Sequence, residues 1–232
     1  MIITVDGPTA SGKSSVAQAV AKRLGYYYFN SGLLYRSLAY ILLHHYQYNK
    51  DQLSNPNAQD FKNALDSKRL VYTFGEDLCL RTIFDMIDIT SYLKDKEIDQ
   101  AASIVSSNEH VREVLIDFQR SIGRQHNVVT DGRDMGSVIF PYADAKFFLT
   151  ARIKIRAQRW ILDQKKRGNI VDLYHAVTQL QERDLRDKAR NTAPLVVPKN
   201  AIIIDSSDMT QEQVIEKVIF YILKRHPNRD VF

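Results

Sequence analysis

The sequence predicts an α/β protein: a parallel β-sheet covered by helices on both faces, with a phosphate-binding loop at the end of its first strand. Three observations predict it. A short β-prone run, Ile2-Ile3-Thr4-Val5, leads into G-x-x-x-x-G-K-[ST] at Gly7 to Ser14 and then into a helical pattern. Strand-length apolar runs then alternate with amphipathic helical stretches, the signature of parallel sheets. Clusters of charge follow directly on the strand-like runs, where such folds bind ligands.

The elements follow in order. After the first strand and its loop, residues 14–24 read as helix, with Val16, Ala17, Val20, Ala21 and Leu24 on one face and Gly25 as the stop. Tyr26-Tyr27-Tyr28-Phe29 is a second β-prone run, and Asn30 or Ser31 caps the next helix. That helix carries Leu34, Leu38, Ile41 and Leu42 at i, i+4, i+7 and i+8. Residues 48–110 are too long for a bare loop. Within them, 70–74, 78–84 and 86–90 look like strands of a small antiparallel lobe inserted in the main domain. Residues 111–123 return to helix. Further core strands are expected at 127–130, 145–149 and 201–204. The last helix opens with a Thr210/Gln213 capping box and buries Val214, Ile215, Val218, Ile219 and Ile222. The tail from His226 to Phe232 is expected to fray.

The loop from Gly7 to Ser15 (Gly7, Pro8, Thr9, Ala10, Ser11, Gly12, Lys13, Ser14, Ser15) carries the clearest chemistry. Gly7 and Gly12 let the backbone curl so that successive N–H groups form an anion nest. Lys13 reaches the β- and γ-phosphates of a nucleotide. The Ser14 hydroxyl can hold Mg²⁺, and the following helix points its positive end at the phosphates.

Composition narrows the class. The 232 residues suit one α/β domain of ordinary size, and 44% hydrophobic content supports a packed core. No stretch is long and apolar enough to cross a bilayer, and no signal peptide is visible. Cys79 is the only cysteine, which fits a reducing cytoplasm. A net charge of +5 permits nucleic-acid binding, but no aromatic-basic motif accompanies it, so no nucleic-acid partner is expected. His44 and His45 read as solvated helix-end residues rather than a metal site.

Four further segments look chemical. Arg36, in Ser31-Gly32-Leu33-Leu34-Tyr35-Arg36, can fork onto a second phosphate, although alone it reads as a surface arginine. Asp131-Gly132-Arg133-Asp134 sets opposite charges at a strand end; taken alone it could be a turn that satisfies itself. In the helix from Asp172 to about Arg190, Leu173, Val177 and Leu180 mark an apolar stripe that continues as Arg183, Asp187 and Arg190. Charges on an inward stripe are unfavourable unless they meet a ligand or each other, or unless the helix end protrudes into water. Residues 152–167 hold Arg152, Lys154, Arg156, Arg159, Lys165, Lys166 and Arg167 against one acid, Asp163. Most of these suit a solvated basic helix; Arg156 and Arg159 share a face and are the candidates for touching phosphates as part of a lid. Two phosphate sites and mobile arginines suggest phosphoryl transfer between two bound molecules. That reaction runs mainly on in-line positioning and charge neutralisation.

The segments ITVDGPTASGKSSVA, NSGLLYR, DQAAS followed by VRE, DGRDMGSVIFP and ERDLRDKARNTAPL resemble, in that order, the bacterial-type cytidylate kinases over nearly the whole chain. The resemblance implies the nucleoside monophosphate kinase form of the P-loop NTPase fold. That form has three layers around a five-stranded parallel sheet of order 2-3-1-4-5, a small antiparallel β lobe in the monophosphate-binding region, and a helical LID. The CORE would be 1–47, 111–150 and 190–232, the monophosphate-binding region 48–110, and the LID with its flanking helices 151–189, in one domain of 232 residues. ATP and Mg²⁺ would be the co-substrates, and CMP and dCMP the acceptors. Ser103, Arg112 and Asp134 would read the cytosine. Tyr35, Arg36, Arg133 and Arg190, with Ser31 nearby, would surround the acceptor phosphate. Arg183 and Asp187 would hold the ribose. Lys13, Arg133, Arg190, Arg156 and Arg159 would carry the transfer. The expectation is a cytoplasmic monomer. Asn30 stands where many relatives have Asp, and Trp160 where relatives often have a second arginine.

Other classes fit less well. A GTPase needs an N-K-x-D guanine reader, and Asn49-Lys50-Asp51-Gln52 misplaces the acid. Kinases of UMP, AMP or shikimate lack a reason for the Ser103, Arg112 and Asp134 set.

Overall fold

The computed structural model describes residues 1–66, 68–166 and 168–227. Arg167 and residues 228–232 of the tail lie outside the described residues. Five strands form the main sheet: β1 (Ile2–Asp6), β2 (Tyr27–Asn30), β6 (Val128–Gly132), β7 (Ala145–Thr150) and β8 (Ile202–Asp205). Their order is β2-β6-β1-β7-β8. The label differs from 2-3-1-4-5 because three strands of a separate sheet intervene in the chain. These are β3 (Leu70–Phe74), β4 (Leu80–Phe84) and β5 (Ile87–Asp88).

The chain divides into two compact units, Met1–Tyr26 with Asn127–Phe232, and Tyr27–His126. In the first, β1 pairs in parallel with β6 and β7, and β7 with β8. Ile3, Val5, Val128, Val129, Phe147 and Leu149 are almost fully buried, as expected of strands covered on both faces. Helix α1 (Lys13–Leu24) packs on β1, β6 and α8 (Gln211–Arg225). Its buried face is Val16, Ala17, Val20, Ala21 and Leu24, and Gly25 ends it in the left-handed conformation. The Thr210/Gln213 capping box starts α8, whose five expected apolar residues are all buried. Helices α6 (Ile153–Lys166) and α7 (Leu173–Ala189) pack on each other.

In the second unit, α2 (Ser31–His44) buries Leu34, Leu38, Ile41 and Leu42. Asn30 is its cap: the Asn30 side chain accepts from the Leu33 N–H at 3.1 Å. The small sheet is antiparallel throughout. Its third strand is shorter than the run 86–90, because Asp85 and Met86 both take positive φ (47° and 70°) and form the hairpin turn. The second strand starts at Leu80 rather than 78, because Leu78 also takes a positive φ of 58°. Two helices stand where no helix is expected, α3 (Ala58–Ala64) and α4 (Lys96–Val105), before α5 (Glu109–Gln125). No helix among the described residues is long and apolar enough to cross a membrane.

Candidate active site

In the first unit the loop between β1 and α1 has the backbone the motif requires. Gly7 has φ 152°, and a Cβ there would lie 2.1 Å from the Leu149 carbonyl oxygen. Gly12 caps α1 with φ 90°. Both conformations favour glycine. Lys13 opens α1, is nearly buried, and donates from Nζ to the Pro8 carbonyl at 3.1 Å. Burial, then the positive charge of Arg133, pull its pKa down to about 7, with Asp131 acting against them. Ser14 Oγ donates to Asp131 Oδ2 at 2.6 Å. Asp131 lies on β6, so the strand beside β1 carries a carboxylate to the start of α1.

Arg133, Arg156 and Arg159 bond this loop, and Arg190 reaches it through Asp187. Arg133, just past β6, donates from Nη2 to Thr9 Oγ1 at 2.9 Å and from Nε to Asp187 Oδ2 at 2.6 Å. Arg190, just past α7, pairs with the other oxygen of Asp187. Burial would raise the Asp187 pKa, but Arg133 and Arg190 together hold it below the ordinary carboxylate value. Arg156 of α6 donates to the Thr9 and Ala151 carbonyls, each at 3.0 Å, and pairs with Asp184 Oδ2 at 2.7 Å. The other oxygen of Asp184 accepts from the Thr9 N–H at 3.3 Å. Arg159 donates to the Ser11 carbonyl at 3.4 Å and to Ser206 Oγ and carbonyl at 2.9 and 2.7 Å. Arg183 is close enough to Lys13 and Asp187 to act on both electrostatically.

The stripe of α7 differs from the expected one. Leu173 is exposed, because Asp172 is the N-cap and its side chain accepts from the His175 N–H. The buried positions are Ala176, Leu180, Asp184 and Asp187. The inward face does turn charged in its last two turns: Asp184 and Asp187 are buried there, met by Arg190 at the helix end and by Arg133 and Arg156 from other elements. Of the basic run on α6, Arg152 pairs with Asp208 at the surface and Lys154, Lys165 and Lys166 are exposed; Arg156 and Arg159 turn to the loop. Trp160 is half-buried and packs with Ile153, Ile161, Val171 and Ala10 around Ala157, Ala176 and Leu180. Asp134 is buried at the corner after β6.

In the second unit, Arg36 of α2 pairs with Asp99 of α4 at 2.6 Å. Ser103 lies one turn beyond Asp99 on α4. Ser31 is buried in the first turn of α2. Arg112 is 2% exposed and buried on α5 together with Val111, Leu115, Gln119 and Ile122. It donates to the Ser106 carbonyl at 2.9 Å and lies 5.5 Å from the centre of the Tyr35 ring.

Three acids escaped the reading of residue roles. Asp184 takes its significance from burial, which the misplaced stripe hid. Asp99 sits in the quoted segment DQAAS, i−4 from Ser103, where a helix reading of 96–105 would have found it. Asp131 stands at the head of DGRD; strand alternation puts it on the face opposite Thr130 and Gly132, and that was the available signal. Among the described residues no group of three or more His, Cys, Asp or Glu side chains could hold a metal ion. His45 packs edge-on against Phe84 and contacts Arg69.

A sequence profile described as cytidylate kinase matches residues 3–224. A cytidylate kinase from Caldanaerobacter subterraneus subsp. tengcongensis is 36% identical over 225 residues, covering 96% of this chain and 94% of that one. One from Chlamydia felis is 38% identical over 228 residues, covering 98% of this chain and all of that one, 100%. Among solved structures, an uncharacterised protein from Eubacterium ventriosum shares the fold, with a TM-score of 0.50 at 14% identity over 97% of this chain and 98% of that one.

Proposed function

The chain belongs to the cytidylate kinase family and is a nucleoside monophosphate kinase that uses ATP; from that premise we propose that its acceptors are CMP and dCMP. The observation that carries the reading is the corner after β6. There Arg133 lies over the phosphate loop and the next residue, Asp134, is a buried acid. A carboxylate at that corner can accept a hydrogen bond from a base amino group. The cytosine N4 amino group supplies a donor to it. Uracil presents an acceptor, O4, at the same place. Arg112 donates to O2 and N3, and Ser103 is the third base contact.

The remaining roles follow from charge. The loop amides and Lys13 hold the ATP phosphates, and Lys13 regains its proton when they arrive. Arg133 and Arg190 meet the transferring group and the acceptor phosphate, with Tyr35, Arg36 and Ser31 on the acceptor side. Arg183 and Asp187 hold the ribose. Arg156 and Arg159 belong to a lid across 151–189 that excludes water, so that the phosphoryl group goes to the acceptor and not to hydrolysis. In GTPases a single arginine reaching the transferring group is worth roughly 10³ to 10⁵ in rate. The small β lobe belongs to the monophosphate-binding region.

Mg²⁺ fits the residues present. Ser14 Oγ and Asp131 Oδ2 are two hard oxygen donors 2.6 Å apart beside the loop, and this ion takes few protein ligands when phosphates supply the rest. When bound it neutralises phosphate charge. The single cysteine, Cys79, and the lack of any dedicated pairing surface in the sequence support a cytoplasmic monomer.

The test is ADP release with MgATP and each of CMP, dCMP, UMP, AMP and GMP, with a control lacking acceptor. Release with CMP and dCMP alone supports the reading. Release with another monophosphate overturns the base assignment.

A further inference from the structure

Asp6, the last residue of β1, is fully buried and has no place in the scheme above. Its Oδ1 accepts from the Met135 N–H and its Oδ2 from the Gly136 N–H, each at 2.8 Å. These are the two amides that follow Asp134. The Asp134 carbonyl in turn accepts from the N–H groups of Val138 and Ile139, at 2.9 and 3.1 Å, closing the π-helical turn Met135–Ile139. One carboxylate therefore grips the chain where it leaves the neighbouring strand.

The grip acts on Asp134 through peptide geometry. The peptide plane is rigid, so the direction of the Met135 N–H is set by ψ of Asp134, and fixing that N–H fixes the angle. Asp134 is held at φ −140° and ψ 16°, off the regular strand values, and its side chain and that of Arg133 leave the corner accordingly. Gly136 closes the clamp from the other side. A Cβ there would lie 2.7 Å from Thr4 Oγ1 and 3.1 Å from Asp6 Oδ2. Thr4 pairs in register with Thr130 and with Lys146, whose Nζ is taken by the Pro141 and Lys199 carbonyls. Burial, with the nearby charges of Asp134 and Asp131, pushes the Asp6 pKa up to about 7 against the opposing pull of the two amides. A neutral acceptor could close an ordinary turn; a buried acid beside two others is a demanding choice.

We propose that Asp6 is the positioning residue for acceptor recognition: by clamping the amides of Met135 and Gly136 it aims Arg133 and Asp134, and so governs which monophosphate is accepted and how tightly it binds. This rests on the reading of Asp134 as the base reader.

Asp6→Asn tests it, because the amide keeps the shape but turns an NH₂ toward one of the two N–H groups. The KM for CMP should rise about tenfold, the scale of one hydrogen bond to a charged group. The kcat/KM preference for CMP over UMP should fall about fivefold or more, as expected when a base-reading contact is misaimed. The KM for ATP should stay within about twofold, since the lost binding is confined to the acceptor. Gly136→Ala, which leaves the carboxylate in place and presses on it, should give the same pattern, and it carries the test if Asp6→Asn does not fold. A lower kcat with both KM values and the selectivity unchanged would show a merely structural role and overturn the proposal, as would an equal rise in the ATP KM. The unaltered protein in the same assay separates the two ideas. If it shows no preference for CMP, the cytosine reading fails, while the KM of the monophosphate it does accept still decides the role of Asp6.

Discussion

Arg156 of α6 and Asp184 of α7 form a 2.7 Å ion pair with both side chains nearly buried, and each also bonds the backbone of Thr9 in the phosphate loop. One residue of the loop is thus held at both its N–H and its C=O by a pair from two other helices. Removing one member of such a pair strands a buried charge, a loss of about 3–5 kcal/mol. Asp184→Ala is therefore expected to lower the melting temperature by at least about 5 °C for a chain of this size, and to raise the KM for ATP. An unchanged melting curve would show the pair to be incidental.

Asp134→Asn should erode the choice between CMP and UMP, because an amide can rotate to donate to O4. The expected fall in the kcat/KM ratio is about tenfold, within the range of one good base contact. A ratio unchanged in the variant would remove Asp134 from base reading.

Lys13 carries a depressed pKa of about 7, chiefly from burial and Arg133. In the free protein at pH 8 it is mostly neutral, and the arriving phosphates raise its pKa, so ATP binding should take up a proton. At pH 6 Lys13 is already charged and the uptake should vanish. Calorimetry in two buffers of different ionisation enthalpy reads this directly. A binding enthalpy at pH 8 independent of buffer would contradict it. Lys13→Ala should abolish both the uptake and the transfer, and retained single-turnover rates would sink the role assigned to Lys13.

Asp187 works in the opposite direction. Despite its burial, Arg133 and Arg190 keep its folded pKa below the ordinary carboxylate value. Its stabilising contribution is therefore present above that pH and is lost as pH falls through the folded value. Asp187→Asn should be less stable than the parent in urea at pH 7. The gap should narrow steadily as the pH drops below about 4, where the parent also loses the charge. A gap constant from pH 7 to pH 3 would show that Asp187 contributes packing and not charge.

Much of this arrangement is legible in the sequence. The loop motif, the buried faces of α1, α2 and α8, and the cap at Thr210 depend on neighbours in sequence, and local rules read them well. On α7, Leu173 looked like the start of the stripe, yet Asp172 caps the helix and leaves Leu173 in water. Asp187 and Arg190 do continue the stripe as charges that meet each other, whereas the burial of Asp184 depends on Arg156 arriving from α6. No periodicity in α7 alone can announce that. Helix α4 is different: Ile98, Ala101, Ala102 and Val105 are all buried and stand at i, i+3, i+4 and i+7, a helical stripe that the sequence itself carries.

The sequence by itself determined the class of fold, the phosphate loop and the family, because these are written in residue types at fixed spacings along one chain. Which charges face each other was decided only by the tertiary structure. Asp6 lies 129 positions from Met135, and Asp184 lies 175 from Thr9, yet each pair shares a hydrogen bond. Charge pairing depends on separations of a few ångströms and on exclusion of water, and both exist only once the sheet has brought the ends of β1 and β6 side by side.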